Sequence, residues 1–322
     1  MGSNLSFVMP LLRCLNQSED LRMNYRLLCK RLEVTVEVLQ EIAELVNEME
    51  PLLYQDGEDL VLVKKLDLIN AKNIHEKVST RGRFVLKDVT PSTNGELMNA
   101  RDELVSGDAL VAEIQTQGRS LRGTQWLTSI GTNIMLSMAF KFPSHQHLLG
   151  FSLAVGVATV NALEFAGVRD VKLKWPNDVV INDKKVAGIL IESVQGEGEE
   201  IFAIVGVGLN VHHSESIDKL IDRPYTDLEE LGYNLTRDEI CINLINEIKY
   251  AASSFRKHRL AQFLDSWNRH DSLLGRQVEV VISAHRTVVG RVSGVNSLGE
   301  LILESNAGCT AIRSGHISLI RY

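Results

Sequence analysis

The sequence predicts an α+β protein made of three consecutive parts, and three patterns of apolar residues support this prediction. Residues 1–66 carry apolar residues at helical spacing followed by a short hairpin. Residues 67–270 alternate strand-like and helix-like segments, and residues 271–322 consist of short β runs separated by turns. At 322 residues the chain is long enough for several domains with a substantial core.

The N-terminal part has the outline of a winged helix. Helical spacing covers Phe7–Leu15, Leu21–Leu32 and Val34–Met49, and a hairpin joins Leu52–Tyr54 to Leu60–Val63. Three helices and a two-stranded wing fit this order of elements. A helical cap that carries an acidic hairpin fits the same pattern equally well, so both interpretations stay open on outline alone.

Charge argues against DNA as a partner of this part. Nine carboxylates and no Lys or Arg lie between Glu33 and Val63, and the whole chain has a net charge of −7. Proteins that bind DNA gain much of their affinity from cations that displace counterions from phosphates. We therefore expect the N-terminal part not to bind DNA.

A hairpin in the central part collects side chains that suit an anionic ligand. The stretch from residue 174 to 192 reads KWPNDVVINDKKVAGILIE, with a turn after Pro176 and another at Asn182-Asp183. Its second strand returns through Lys185 to Gly188, where a ligand could approach the backbone. Cations, an amide and a carboxylate at one end of a sheet favour a small anion with a metal. A solvated turn is the alternative.

A second polar loop runs from Gln115 to Trp126. Its glycines and arginines (Gly118, Arg119, Arg122 and Gly123) could surround phosphate oxygens with backbone N–H groups and guanidinium groups. It is not a P-loop, because Thr124 stands where a lysine is required.

The motif KWPND followed by KKVAGIL resembles the signature of biotin protein ligases, and the similarity extends over about residues 69–320. The resemblance implies a class II synthetase-like mixed sheet with helices in the centre and an SH3-like β-barrel at the C-terminal end. It also implies activation of biotin by ATP to biotinyl-5′-adenylate, with transfer to a lysine of a biotin carboxyl carrier protein of acetyl-CoA carboxylase.

The same resemblance assigns roles to individual residues. Lys185, Arg119, Arg122 and Asp178 match catalytic positions, and Asp178 would be linked to Mg²⁺. The implied biotin contacts are Ser92, Thr93, Asn94, Gln115, Arg119, Ser120, Leu121, Lys185 and Gly188; the implied ATP contacts are Arg119, Arg122, Trp126, Asn133, Asn177, Lys185 and Asn210. Ser120 and Leu121 depart from the family pattern, which has glycine and arginine at these positions. We expect this departure to weaken retention of the biotinyl-adenylate rather than catalysis.

The remaining features of the sequence indicate where the protein is located and which partners it has. Four scattered cysteines give no zinc motif or disulfide framework and fit a reducing cytoplasm. The longest apolar run, Leu148 to Val168, contains polar residues and predicts a buried helix rather than a membrane span. The family often pairs through its central sheet, so the resemblance also implies a homodimer.

Two other functions remain alternatives to a biotin ligase. Lipoate or octanoyl transfer uses a related fold, although the KWPND-to-GIL stretch and the terminal β runs favour biotin. A biotin-sensing repressor with little enzyme activity is the other alternative, and the acidic third helix argues against it.

Overall fold

The structure, a computed structural model, describes residues 4–78, 82–196, 198–221, 224–283, 285–306 and 308–320, and the side chain of Arg122 lies outside this description. The helices are α1 Leu5–Asn16, α2 Tyr25–Leu32, α3 Val36–Met49, α4 Ala71–Lys77, α5 Thr93–Asn99, α6 Phe151–Phe165, α7 Glu215–Asp218, α8 Arg237–His258 and α9 Leu264–His270. The strands are β1 Arg22–Asn24, β2 Leu53–Asp56, β3 Asp59–Leu62, β4 Phe84–Thr90, β5 Ala109–Gln115, β6 Asn133–Phe142, β7 Lys172–Lys174, β8 Asp178–Ile181, β9 Lys184–Gln195, β10 Ile201–Asn210, β11 Gln277–Ser283, β12 Arg286–Val295, β13 Leu301–Ser305, β14 Gly308–Ile312 and β15 His316–Leu319.

The N-terminal part packs α1, α2 and α3 beside an antiparallel sheet of order β1-β3-β2. The predicted helix Leu21–Leu32 is wrong in its first turn, because Arg22–Asn24 forms a strand in which Met23 pairs with Leu60. Helical periodicity continued through this strand in the sequence, but pairing with the hairpin takes precedence over it. Asn24 then begins α2 by accepting a hydrogen bond from the N–H of Arg26.

The centre is a seven-stranded mixed sheet of order β4-β5-β6-β10-β9-β8-β7. Strands β4 and β5 are parallel and the other neighbours are antiparallel. Helix α8 packs against α6 and β6, and α5 contacts β6 and β10. The prediction of an α+β protein with a central mixed sheet is confirmed.

Helix α6 is the apolar helix that the sequence predicts. The stretch His145–Phe165 is long and apolar enough to cross a membrane, but 61% of its most apolar window is buried inside the protein. Buried residues lie around the whole circumference of α6, between the sheet and α8. The composition of this helix is therefore explained by its place in the core.

The C-terminal sheet is antiparallel, with the order β14-β13-β12-β11-β15. Four of its strands agree with the β runs that the sequence predicts at Gln277–Ser283, Arg286–Val295, Gly299–Glu304 and Thr310–Ile312. The fifth strand, β15, was not predicted, because four residues are too few to show a clear alternation of apolar and polar side chains. It forms through pairing with a distant segment, as in the pair of Ile317 with Val280. The indole N–H of Trp175 donates to the carbonyl of Gly299 at 3.0 Å and links this sheet to the central hairpin.

The N-terminal part does not lie apart from the central sheet. Its apolar core extends to Ile114 at the end of β5 and to Ile130, both of which are buried. At the surface, Arg13 of α1 forms a 2.6 Å ion pair with Asp88 of β4. The N-terminal helices are thus packed directly beside the loops that lead into the central strands.

Candidate functional site

One cavity on a face of the central sheet collects most of the predicted site residues. It is lined by the start of α5, the end of β5, the loop at 118–126, and strands β6, β9 and β10. The lining residues are Ser92, Thr93, Asn94, Gln115, Arg119, Ser120, Trp126, Met135, Leu136, Asn177, Lys185, Gly188, Ile189, Leu190, Gly206, Val207 and Gly208, which enclose about 460 Å³ including the open mouth.

Two glycines form the floor of the cavity. Gly188 of β9 and Gly208 of β10 are direct cross-strand partners. A Cβ atom on Gly188 would lie 2.9 Å from Nζ of Lys185, and a Cβ atom on Gly208 would collide with the indole of Trp126. The two glycines therefore allow a cation and an aromatic ring to lie directly on the backbone of the sheet.

Lys185 projects into the cavity from the start of β9. Its Nζ lies 2.5 Å from Oδ1 of Asp178 and 5.4 Å from the ring centroid of Trp126. Its backbone is held on both sides, since its N–H donates to the carbonyl of Pro224 at 3.2 Å and its carbonyl accepts from the N–H of Thr226 at 2.9 Å. A positive charge is thus placed against the cavity, balanced by one carboxylate.

Arg119 is positioned by a carboxylate that sequence reasoning missed. Nη2 of Arg119 lies 3.0 Å from Oε2 of Glu192, which also accepts from Nδ2 of Asn94 at 2.9 Å. Glu192 follows Gly188 and Leu190 at a spacing of two along β9. Because alternate residues of a strand share one face, this spacing could have identified Glu192 from the sequence.

Beside the Arg119–Glu192 pair, uncharged polar groups at the start of α5 and the end of β5 line the cavity. Oε1 of Gln115 accepts from the backbone N–H and the hydroxyl of Thr93, at 2.7 and 3.1 Å. The hydroxyl of Ser137 donates to Oδ1 of Asn94 at 2.6 Å and lies 2.7 Å from the hydroxyl of Thr93. Ser137 was not among the predicted site residues, and its buried hydroxyl fixes the orientation of Thr93 and Asn94.

The predicted asparagines differ in position. Asn177 lines the cavity and holds β9, with its Nδ2 donating to the carbonyl of Ile189 at 2.8 Å. Asn133 and Asn210 are buried outside the lining, where Nδ2 of Asn133 donates to Oδ1 of Asn210 at 3.0 Å. Their contact with ATP stays a prediction, and in this structure they join β6 to β10.

The loop at 118–126 folds back on itself beside the cavity. The N–H of Trp126 donates to the carbonyl of Gly118 at 3.0 Å, and Ser120 faces the cavity. Leu121 is 42% exposed and lies outside the lining, while the predicted side-chain role of Arg122 falls outside the described residues. The indole N–H of Trp126 is buried and has no hydrogen-bond partner among the described residues.

The segment that pairs with Lys185 holds two acids with raised pKa values. Burial raises the pKa of the carboxyl of Asp227. Burial, together with a hydrogen bond to Asp218, raises the pKa of the Tyr225 hydroxyl, so this hydroxyl stays neutral in the physiological range. The cationic side chains among the described lining residues are Lys185 and Arg119.

The described residues do not offer a ready-made metal cage. No group of three or more His, Cys, Asp or Glu among them is placed to hold a metal ion. Asp178 is engaged with Lys185, and a single carboxylate suits Mg²⁺ only when substrate phosphates supply other oxygens. The single available carboxylate thus fits a Mg²⁺ ion that binds together with the phosphates of a substrate.

These features define an α+β protein with a cavity for an elongated anion. Neutral hydrogen-bonding groups lie beside the Arg119–Glu192 pair, apolar side chains such as Met135 and Leu136 lie on β6, and Lys185 supplies a cation at Gly188. A ligand with a polar uncharged head, an apolar middle and an anionic tail would be complementary to this arrangement.

Comparison with known proteins identifies the family. Residues 86–210 match the Biotin/lipoate A/B protein ligase family, and residues 273–320 match the biotin protein ligase C-terminal domain. The bifunctional ligase/repressor BirA of Escherichia coli is 32% identical over 264 residues, which is 82% of each chain. A biotin–[acetyl-CoA-carboxylase] ligase of Mycobacterium tuberculosis is 29% identical over 240 residues, covering 72% of this chain and 87% of the relative.

A solved structure gives the same result for the fold. The biotin protein ligase from Aquifex aeolicus, in complex with biotin and ATP, superposes with a TM-score of 0.62 and 27% identity, covering 74% of this chain and 99% of that one. The chain belongs to the biotin protein ligase family. The predicted resemblance is confirmed.

Proposed function

We propose that this protein is a biotin–[acetyl-CoA-carboxylase] ligase. It would join biotin to ATP as biotinyl-5′-adenylate and then transfer biotin to a lysine of a biotin carboxyl carrier protein. The observation that carries the proposal is the placement of Lys185 on a glycine-floored cavity that also holds Arg119 and a group of neutral polar side chains. Relatives named as ligases for this carboxylase, and a structural neighbour with biotin and ATP, support it.

The chemistry requires positive charge at one point. In the first step the biotin carboxylate attacks the α-phosphorus of ATP, and pyrophosphate leaves with the electron pair of the broken P–O bond. Two anions must approach each other, so cations that lie between them lower the barrier. Lys185 is placed to contact both groups, Arg119 lines the same cavity, and Arg122 is assigned to the phosphates from its position in the motif.

The second step uses the stored mixed anhydride. The ε-amine of the acceptor lysine attacks the biotinyl carbonyl carbon, an amide bond forms and AMP leaves. The proposed biotin contacts are the neutral polar groups of the cavity, with Thr93, Asn94 and Gln115 facing the uncharged head. Mg²⁺ would enter as the metal of Mg–ATP, with Asp178 as the available carboxylate.

The finer architecture is also a proposal. The element order α1-β1-α2-α3-β2-β3 and the sheet order β1-β3-β2 support a winged-helix domain at residues 1–66. We assign residues 67–270 to the catalytic domain and residues 271–322 to an SH3-like barrel. A homodimer and a cytoplasmic location, the latter consistent with four free cysteines, complete the proposal.

Transfer of biotin to a purified acceptor domain tests the overall reaction. The protein, ATP and Mg²⁺ should label a biotin carboxyl carrier protein with biotin and leave a variant without the target lysine unlabelled. Lipoate and octanoate serve as matched alternative substrates. Preferred transfer of either of these would contradict the proposal and favour a lipoate or octanoyl ligase.

A repressor is the second candidate, because the relative from Escherichia coli is named a bifunctional ligase/repressor and the N-terminal elements follow winged-helix order. The charge of this domain opposes it. Glu37, Glu41, Glu44 and Glu48 are exposed on α3, the helix that would face phosphates. Each carboxylate adds repulsion where a DNA-binding helix gains affinity.

We therefore expect no binding to promoter DNA of biotin-synthesis genes, with or without biotin and ATP. Fluorescence anisotropy at low salt is the most favourable condition for an electrostatic binder. Biotin-dependent binding with a sub-micromolar Kd would contradict this expectation and assign a repressor role to the domain.

A further inference from the structure

Glu50 connects the N-terminal part to the central sheet. It follows the last residue of α3, and 7% of its surface is exposed. Its Oε2 accepts hydrogen bonds from the hydroxyls of Ser129 and Ser214, both at 2.7 Å. Burying a carboxylate costs free energy unless hydrogen bonds compensate for the lost water. The two hydroxyl groups provide these hydrogen bonds, and the contacts fix the positions of Ser129 and Ser214.

The first of these partners leads to the lysine of the cavity through β6 and β10. The N–H of Ser129 donates to Oδ1 of Asn133 at 3.1 Å, and Asn133 donates to Asn210. Nδ2 of Asn210 donates to the carbonyl of Thr226 at 3.0 Å. The N–H of Thr226 donates to the carbonyl of Lys185. Every step in this path is a hydrogen bond between buried or partly buried groups.

The second partner reaches the same lysine by another path. The hydroxyl of Ser214 accepts from the N–H of Ile217 and begins α7. Asp218 at the end of α7 accepts from the hydroxyl of Tyr225. Tyr225 forms a parallel β-bridge with Lys185. Both paths thus end at the short segment 224–226 that holds the backbone of Lys185.

We propose that Glu50 is a positioning residue for Lys185, so that the N-terminal domain helps to align the catalytic lysine. This inference rests on the proposed ligase function. It also gives the N-terminal domain a role that its acidic surface does not contradict, since the role depends on the buried end of α3 rather than on its exposed face.

Three variants of the full chain test the proposal. Glu50→Ala removes both hydrogen bonds, whereas Glu50→Gln keeps an oxygen that can accept from both hydroxyls. Glu48→Ala is the matched control, because Glu48 is an exposed carboxylate on the same helix. We expect Glu50→Ala to lower kcat for biotin-dependent ATP–pyrophosphate exchange by about 3- to 30-fold, measured well below its melting temperature. Glu50→Gln should recover most of this loss, and the control should match the wild type.

Hydrogen exchange gives a second measurement that does not depend on activity. The amides of Lys185 and Thr226 are hydrogen-bonded across the β-bridge, so they should exchange faster in Glu50→Ala and at the normal rate in Glu48→Ala. A lower melting temperature with unchanged kcat and unchanged exchange at these amides would overturn the proposal and leave Glu50 a purely structural role. If the wild-type protein showed no pyrophosphate exchange, only the proposed ligase function would be contradicted. The hydrogen-exchange rates of the Lys185 and Thr226 amides would still show whether Glu50 holds the segment around Lys185.

Discussion

A cation that already lies against a carboxylate has little positive charge to offer until a competing anion arrives. Lys185 is in this situation, since its ammonium group is 2.5 Å from Asp178. Both side chains are less than one-third exposed, so the pair is only partly screened by water. We infer that substrate anions displace Asp178 from Lys185 and that the flexible lysine side chain follows them.

The glycine beneath this lysine gives the first prediction. In Gly188→Ala the new methyl group would lie 2.9 Å from Cε and Nζ of Lys185 and 3.1 Å from the ring of Trp126. These neighbours are ends of side chains and can move, so the fold should persist while the lysine is displaced. We expect adenylate formation to fall roughly ten- to a hundredfold. Unchanged turnover with an unchanged melting temperature would show that the glycine floor is not needed.

The departure from the family loop gives the second prediction. Leu121 cannot supply the charged hydrogen bonds that an arginine offers, and its side chain is 42% exposed beside the cavity. Biotinyl-adenylate should therefore leave the wild type about ten to a hundred times faster than it leaves Leu121→Arg. Leu121→Met is the control for side-chain length, and its dissociation rate should match that of the wild type. Equal dissociation rates for all three proteins would contradict the assignment.

Among the elements, the turn before β5 is held by a buried carboxylate. Asp108 is 2.7 Å from Nη2 of Arg83 and also accepts from the backbone N–H groups of Arg83 and Val105. Burial alone would raise the pKa of the Asp108 carboxyl, but these hydrogen bonds outweigh it and the pKa lies below the usual value. The folded state thus favours the ionised form.

The third prediction concerns the pH dependence of this turn. A carboxyl with a lowered pKa in the folded state adds stability above its unfolded pKa of about 3.9, and this contribution is lost as the pH falls below that value. Asp108→Asn should lower the free energy of unfolding by about 1.5–3 kcal/mol at pH 7. Denaturant titrations between pH 3 and pH 7 should show this difference narrowing at the acidic end. A difference that does not vary with pH would contradict the account.

How much the sequence could predict depends on the range of the interactions involved. The hairpin that carries Lys185 was predictable, because turn residues and a strand pattern lie within one short stretch. The strand Arg22–Asn24 and the C-terminal β15 were not, since each exists through pairing with a distant segment. Local pattern carries no information about such partners.

The same limit applies to the site. The cavity unites most of the predicted contacts, because the family motifs mark them directly. Glu192 and Ser137 act by orienting Arg119 and Asn94, and although both lie at the ends of stretches that resemble the family, the resemblance assigned neither of them a site role. The contact between Asn133 and Asn210 depends on the antiparallel pairing of β6 with β10, which spacing along the chain does not show.

At the scale of the whole molecule, buried polar contacts join the parts of the chain. Arg237 of α8 and Glu113 of β5 form a 2.7 Å ion pair with no exposed surface. Glu113 also accepts from the N–H of Ile69, and Arg237 donates to the carbonyl of Asp67, so the segment 67–69 that follows the N-terminal part is bound to the central sheet. Removing one member of such a pair leaves a buried charge without its partner. The segment 67–69 and the sheet should therefore unfold together.

The central claim is that Lys185 activates biotin and ATP in this cavity, and biotin-dependent exchange of pyrophosphate into ATP tests it most directly. The wild type should catalyse the exchange. In Lys185→Ala the exchange rate should fall by about 10- to 150-fold, because a charge-assisted hydrogen bond is worth about 1.5–3 kcal/mol. Lys184→Ala is the matched control, since the adjacent Lys184 is exposed and paired with Glu230 at 2.9 Å; it should retain full activity. Exchange by Lys185→Ala within threefold of the wild type would contradict the account.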